Sequence, residues 1–139
     1  RDGKVAVDIS DIYIDFEDYG KALRWADKAI NLIENSGKGY GQKGKVYYKG
    51  WETFKQNPLS VDDRIVAKLA YNNFLKAEKL NYRGFSRSKY LKENAKDLLY
   101  GKAQWFMAED KMKRSGSIRT TTSSYDWVTD ELEPEKGWK

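Results

Sequence analysis

Ala22-Leu23-Arg24-Trp25-Ala26-Asp27-Lys28-Ala29-Ile30-Asn31-Leu32 and Ala70-Tyr71-Asn72-Asn73-Phe74-Leu75-Lys76-Ala77-Glu78-Lys79-Leu80 carry alanine, lysine, alanine and leucine at identical offsets. In both stretches apolar residues recur every three or four positions, the spacing that puts them on one face of an α-helix. Two copies of one amphipathic helix in a single chain point to duplication of a larger unit.

Working outward, each stretch has a second helical pattern before it. In residues 5–16, Val5, Ile9, Ile12, Tyr13 and Phe16 have the spacing of a buried stripe. Glu17 and Asp18 stand where the next helix begins, favoured by the positive end of its dipole, and Asn35, Ser36, Gly37 and Gly39 supply its stop. Residues 40–54 repeat the pattern with Tyr40, Tyr47, Trp51 and Phe54, ending at Asn57-Pro58, since the residue before proline avoids the helical region. Ser60 with Asp62 and Asp63 caps the following helix, which carries Ile65, Val66, Leu69, Ala70, Phe74, Ala77 and Leu80. Residues 81–86 break it. Ser88 opens a last long helix through Leu91, Ala95, Leu98, Leu99, Ala103, Phe106 and Met107, which ends near Ser115-Gly116. Short connections force antiparallel neighbours, so the expected fold is all-α, a stack of antiparallel helical hairpins.

The two quoted stretches resemble the second helix of a tetratricopeptide (TPR) repeat, in which small residues let the paired helices approach closely. Tyr40, Lys43, Gly44 and Tyr47 have the spacing of that repeat's first helix, with Lys43 in place of the usual leucine; Ser10 and Tyr13 stand at the corresponding small and tyrosine positions of the first pair. The resemblance covers roughly residues 5–82. It implies a short TPR-like superhelix over residues 1–116, with the long last helix as a C-terminal cap and residues 117–139 as an extended tail. The family period is 34 residues, whereas Ala22 and Ala70 are 48 apart, so the second pair requires longer helices or a longer internal turn. The proline that usually closes each repeat is missing.

Composition narrows the chemistry. The chain has 139 residues, enough for about one domain, with 40% hydrophobic and 34% charged residues and only two prolines, as a folded helical protein has. With no Cys there are no disulfides and no thiolate metal sites, and with no His the commonest general base and metal ligand is missing. No stretch approaches the roughly 18 apolar residues of a membrane span. Arg1 in place of an initiator Met suggests a processed end or a fragment, and the compartment is left open. The net charge of +5 is unevenly spread: −3 over residues 1–35, +11 over residues 36–119 and −3 over residues 120–139.

Gly39-Tyr40-Gly41-Gln42-Lys43-Gly44-Lys45 has the spacing of a phosphate-binding loop, but Val46 replaces the magnesium-holding Ser or Thr and an amphipathic helix precedes it. Asp11, Asp15, Glu17 and Asp18 lack the spacing and central Gly of a calcium loop. These features give no catalytic residue, cofactor site or metal site. If Tyr40, Gly44 and Tyr47 face the partner helix, then Lys45, Tyr48, Lys49 and Glu52 share the adjacent face, with Lys38 near its start. The resemblance implies that this face lines a peptide groove suited to an acidic peptide or a carboxylate terminus.

The tail departs from the helical pattern. A polar run, Thr120 to Ser124, leads into Tyr125, Trp127, Val128, Leu132 and Trp138 set among carboxylates, a poor composition for a solvated tail. The expectation is that it docks on the basic middle of its own chain or of a neighbouring copy. The reading is a non-catalytic scaffold or adaptor that binds a peptide or a sister subunit. The alternative is a structural subunit of a larger assembly, such as a fibre or virion, linked through the tail. Nucleic-acid binding ranks below both, because the lysines spread over several helices and the acidic ends repel phosphate. Deleting residues 117–139 is predicted to lower the melting temperature or break an assembly; unchanged melting and unchanged solution mass would rule docking out.

Overall fold

Three of the long helices in this chain start at single side chains that accept otherwise unpaired amides. Asp18 accepts from the Lys21 N–H at 3.1 Å, Ser36 from the Gly39 N–H at 2.9 Å, and Ser60 from the Asp63 N–H at 3.1 Å while Asp63 accepts from the Ser60 N–H at 2.9 Å. The computed structural model describes residues 2–80 and 97–138. Its helices are α1 (Asp2–Asp15), α2 (Tyr19–Leu32), α3 (Gly37–Phe54), α4 (Val61–Lys79), α5 (Lys102–Phe106) and α6 (Asp110–Ser115), with 3-10 turns at Ser123–Tyr125 and Lys136–Trp138. No strand occurs among the described residues; the nearest thing is an isolated antiparallel bridge between Ile118 and Leu132.

The helices pack as pairs. α1 lies on α2 and α3 on α4, and α3 also touches both helices of the first pair. Each pair has a close-approach point near the middle of its first helix. In the first, the Ser10 hydroxyl donates to the Ala22 carbonyl at 2.8 Å. In the second, Gly44 sits so near α4 that a Cβ there would lie 2.6 Å from the Phe74 ring and 3.2 Å from the Ala70 carbonyl oxygen. Ser10 and Gly44 are 34 positions apart, whereas Ala22 and Ala70 are 48 apart. The difference is absorbed beyond the contact, where α3 runs on further than α1, the connection to α4 is longer, and α4 starts further ahead of its alanine than α2 does.

α3 begins at Gly37, earlier than the glycine-rich sequence suggests, and the turn before it is made by Asn35 rather than by a glycine, at φ 51°. Glycine costs a helix interior about 1 kcal/mol relative to alanine. α3 tolerates Gly39, Gly41, Gly44 and Gly50 because it is the central helix, with Val46, Tyr47, Tyr48 and Trp51 all buried. The main core gathers these with Leu23, Ile65, Val66, Phe74, Tyr100, Ile118 and Tyr125; Ala6, Val7 and Ala29 form a smaller cluster under α1.

Two expectations require correction. The stripe on α1 is not its buried face: Val5 is 50%, Ile12 51% and Phe16 76% exposed, while Gly3, Ala6, Val7, Ser10 and Ile14 face inward. Small residues win because they allow contact with α2; a Cβ on Gly3 would overlap Ile33. The long last helix is also not continuous. Its predicted start at Ser88, with Leu91 and Ala95, lies outside the described residues, but residues 97–101 are not helical. There the buried Tyr100 donates its N–H to the Arg64 carbonyl at 3.0 Å, Gly101 is extended, and the chain re-enters helix only as the short α5 and α6. The predicted end at Ser115-Gly116 is observed, with Gly116 left-handed at φ 67°.

Gly44→Ala is expected to destabilise the fold by about 1–3 kcal/mol in urea unfolding, because Phe74 and the α4 backbone leave no room for a methyl group. Gly137→Ala, with nothing within 4 Å of the added Cβ, serves as the control with a near-zero effect.

Candidate functional site

The first turn of α4 carries two carboxylates that the helix alone does not use up. The positive end of the helix dipole favours both. Asp63 closes the cap and also accepts from the Gln56 N–H at 2.9 Å, while its other oxygen accepts from the Tyr125 hydroxyl at 2.6 Å. Asp62, 5% exposed, accepts from the Thr121 and Thr122 N–H groups at 3.0 and 2.8 Å and from the Thr122 hydroxyl at 2.6 Å. The residues after Gly116 are thereby tied across the start of α4.

From this anchor the tail runs into an aromatic slot on α3. The Trp127 indole stands over Gly50, where a Cβ would come within 2.5 Å of it. It stacks on Tyr47 at 6.0 Å between ring centres and lies against Tyr19 at 5.4 Å and Tyr125 at 6.1 Å, while its N–H donates to the Ser124 carbonyl at 2.9 Å. Phe54 closes the slot edge-on to both Tyr19 and Tyr125. The Thr53 hydroxyl donates to the Lys49 carbonyl, so the Tyr19 hydroxyl donates to Thr53, at 2.5 Å.

Three residues beyond the indole, Asp130 accepts from the Tyr47 hydroxyl and pairs with Lys43 at 2.9 Å; Lys43 also pairs with Asp27 of α2 at 2.7 Å. Burial pulls the Lys43 ammonium down, but the hydrogen bonds to Asp27 and Asp130 outweigh it and hold it above the ordinary lysine value. Burial, then the negative charge of Asp130, pushes the Tyr47 phenol well up. Further along, Leu132 pairs with Ile118, Glu135 meets Lys68 at 2.7 Å, and Trp138 packs on Tyr100 at 5.7 Å.

Of the predicted tail residues, Tyr125 and Leu132 are buried and Trp127 and Trp138 half-buried, all against the chain's own helices or tail. The predicted groove residues do not form one open face. Tyr48 is a core residue, 4% exposed with its ring 5.7 Å from Trp51, because the turn of α3 that carries it faces inward. Lys45 pairs with Asp11 of α1 at 2.9 Å, alongside Gln42 on the same oxygen. Lys49 lies 3.7 Å from Glu52, and both line a cleft of about 440 Å³ with Asp15, Glu17 and Tyr19. Lys38 is half-buried in the first turn of α3.

The residues that hold the tail and that sequence reasoning missed are Lys43, Gly50, Asp62, Asp63 and Asp130. Lys43 had one signal, its departure from the leucine of the repeat pattern. Among the described residues no group of three or more acidic side chains is placed to hold a metal ion. Comparisons with protein-family models, curated proteins and solved structures give no match for this chain.

The ionisable groups set a pH window. Burial raises the Asp63 carboxyl, but hydrogen bonds from the Gln56 N–H, the Tyr125 hydroxyl and the Ser60 N–H outweigh it and leave it below its ordinary 3.8. Its stabilisation is therefore complete above about pH 4 and lost as pH falls further. Lys43, Tyr47 and Tyr125 are all raised in the fold, so their contribution is complete below about pH 10 and lost above it. Melting temperature is expected to be level from about pH 5 to 9 and to fall on either side, with Asp63→Asn flattening the acid limb; a steady slope through neutral pH would contradict this assignment.

Proposed function

We propose that this chain is a non-catalytic scaffold for protein–protein contacts, in which TPR-like helix pairs present α3 as a groove for an aromatic, acidic segment. The chain's own tail is the resident ligand. The observation that carries the reading is the seating of Trp127 over Gly50 together with the pairing of Asp130 with Lys43 and Tyr47. An indole in a slot walled by tyrosines gives affinity, and a carboxylate three residues on, met by a half-buried ammonium, gives register and direction. Each aromatic pair adds about 0.5–1.5 kcal/mol beyond the area it buries. This groove lies on the same helix as Lys45 and Lys49, and its half-buried Lys43 suits an acidic partner. Lys43, Tyr47 and Asp130 are already engaged with one another, an arrangement suited to holding a chain rather than to moving protons.

A tethered ligand competes at an effective concentration on the order of millimolar. An external segment of the same kind therefore binds the intact protein with an apparent Kd of about that size, and far more tightly once the tail is weakened. In the full chain carrying Trp127→Ala and Asp130→Asn, a labelled peptide of residues 120–135 is expected to bind at least tenfold more tightly than to the unaltered chain, read by fluorescence anisotropy. Adding Lys43→Glu should remove the gain. Failure of the peptide to bind the weakened-tail chain, with circular dichroism showing it folded, would overturn the reading.

A further inference from the structure

α1 is apolar on two opposite sides. At 100° per residue, Val5, Ile9, Ile12 and Phe16 fall within about 60° of arc, on the far side of the helix from Gly3, Ala6, Val7, Ser10 and Ile14, which face the protein. A helix whose second side is also apolar lacks a partner on that side. The outward stripe is about 16 Å long and offers two successive four-residue hollows, one formed by Val5, Asp8, Ile9 and Ile12, the next by Ile9, Ile12, Tyr13 and Phe16. Exposed Asp2, Asp8 and Asp15 border it and outnumber the cations described beside it, Lys4 and Lys21, the latter with its ammonium 5.6 Å from the centre of the Tyr13 ring and paired with Asp18.

Further along the chain two adjacent side chains project into solvent, Phe106 at the end of α5, 73% exposed, and Met107 after it, 81% exposed. Their surroundings are basic: Lys102, Lys111, Lys113 and Arg114, all exposed, outnumber Glu109 and Asp110. Lys113 holds its ammonium 5.6 Å from the centre of the Phe106 ring and donates to the Phe106 carbonyl at 2.7 Å, which fixes a positive charge beside the apolar tip.

We infer that copies of this chain associate head to tail, the Phe106–Met107 knob of one copy entering the two hollows of the α1 stripe of the next. Two neighbouring knobs match two neighbouring hollows, and a basic rim meets an acidic one, with Lys113 arriving beside Asp8. Joining unlike patches leaves each copy with one used and one unused patch, so association continues beyond two copies, as a ring or an open chain. The contact is independent of the tail groove, whose residues lie on other helices.

The test is solution mass by sedimentation velocity over a range of concentrations. The unaltered chain should rise past the mass of a dimer as concentration increases, and less so in high salt. Ile12→Glu, which spoils the stripe, and Met107→Glu, which spoils the knob, should each be monomeric with an unchanged melting temperature, since both side chains are exposed. Mixed in equal amounts they should form a one-to-one dimer and nothing larger, because each variant retains the patch the other lacks. A dimer of Met107→Glu alone would mean stripe against stripe, and a dimer of Ile12→Glu alone would mean knob against knob. Either result, a mixture that stays monomeric, or an unaltered chain that is monomeric up to about millimolar concentration would overturn the inference.

Discussion

Two adjacent carboxylates at the start of α4 have to be satisfied, and much of the molecule is arranged around that need. A buried carboxylate without partners costs several kcal/mol. Asp63 meets part of its requirement within its own helix cap, but Asp62 takes every hydrogen bond described for it from Thr121 and Thr122, some sixty residues away in sequence. Once these threonines are fixed, Tyr125 is delivered to Asp63, Phe54 meets the Tyr125 ring, and Trp127 is positioned over Gly50. The tail is therefore the second half of a buried polar contact that the helices begin.

The composition of α3 follows from the same arrangement. A helix touched by α1, α2, α4 and the tail has little room for side chains where they meet it, so glycine appears at close approaches, Phe74 at Gly44 and the Trp127 indole at Gly50. The loss in helix propensity is offset by the burial of Val46, Tyr47 and Tyr48 between those points and of Trp51 just beyond them. Polar atoms within this crowded region are shared economically: one oxygen of Asp11 serves both Gln42 and Lys45, and Lys43 bridges two aspartates from different elements.

The paired helices were legible because periodicity and capping are local. Asp18 and Ser60 were readable as helix starts from their neighbours alone, and the matching alanines of residues 22–32 and 70–80 marked two helices that bury small residues against a partner. Periodicity does not say which of two apolar faces turns inward, and on α1 the decision lay with Gly3, Ala6 and Ser10, whose small size is a statement about distance to α2 rather than about hydrophobicity. Glycines at 37 and 39 read as a stop because propensity is summed residue by residue, whereas α3 is held by what surrounds it. The acidic, aromatic tail could be recognised as unsuited to solvent. Its seat could not, since Lys43 and Asp130 are far apart in the sequence and meet only through the fold.

The order in which these contacts can form has a consequence of its own. Each helical hairpin closes over a short connection, so it needs only residues already next to it and can form early. The bonds from Asp62 and Asp63 to the tail, and those from Tyr47 and Lys43 to Asp130, span some 60 to 90 positions and carry a much larger loop-closure cost. During synthesis the four long helices leave the ribosome well before Trp127 does. For that interval Tyr19 and Tyr47 have no indole to cover them. The contacts made by Trp127 and Asp130 are thus a late step of folding, laid over helices that are already paired.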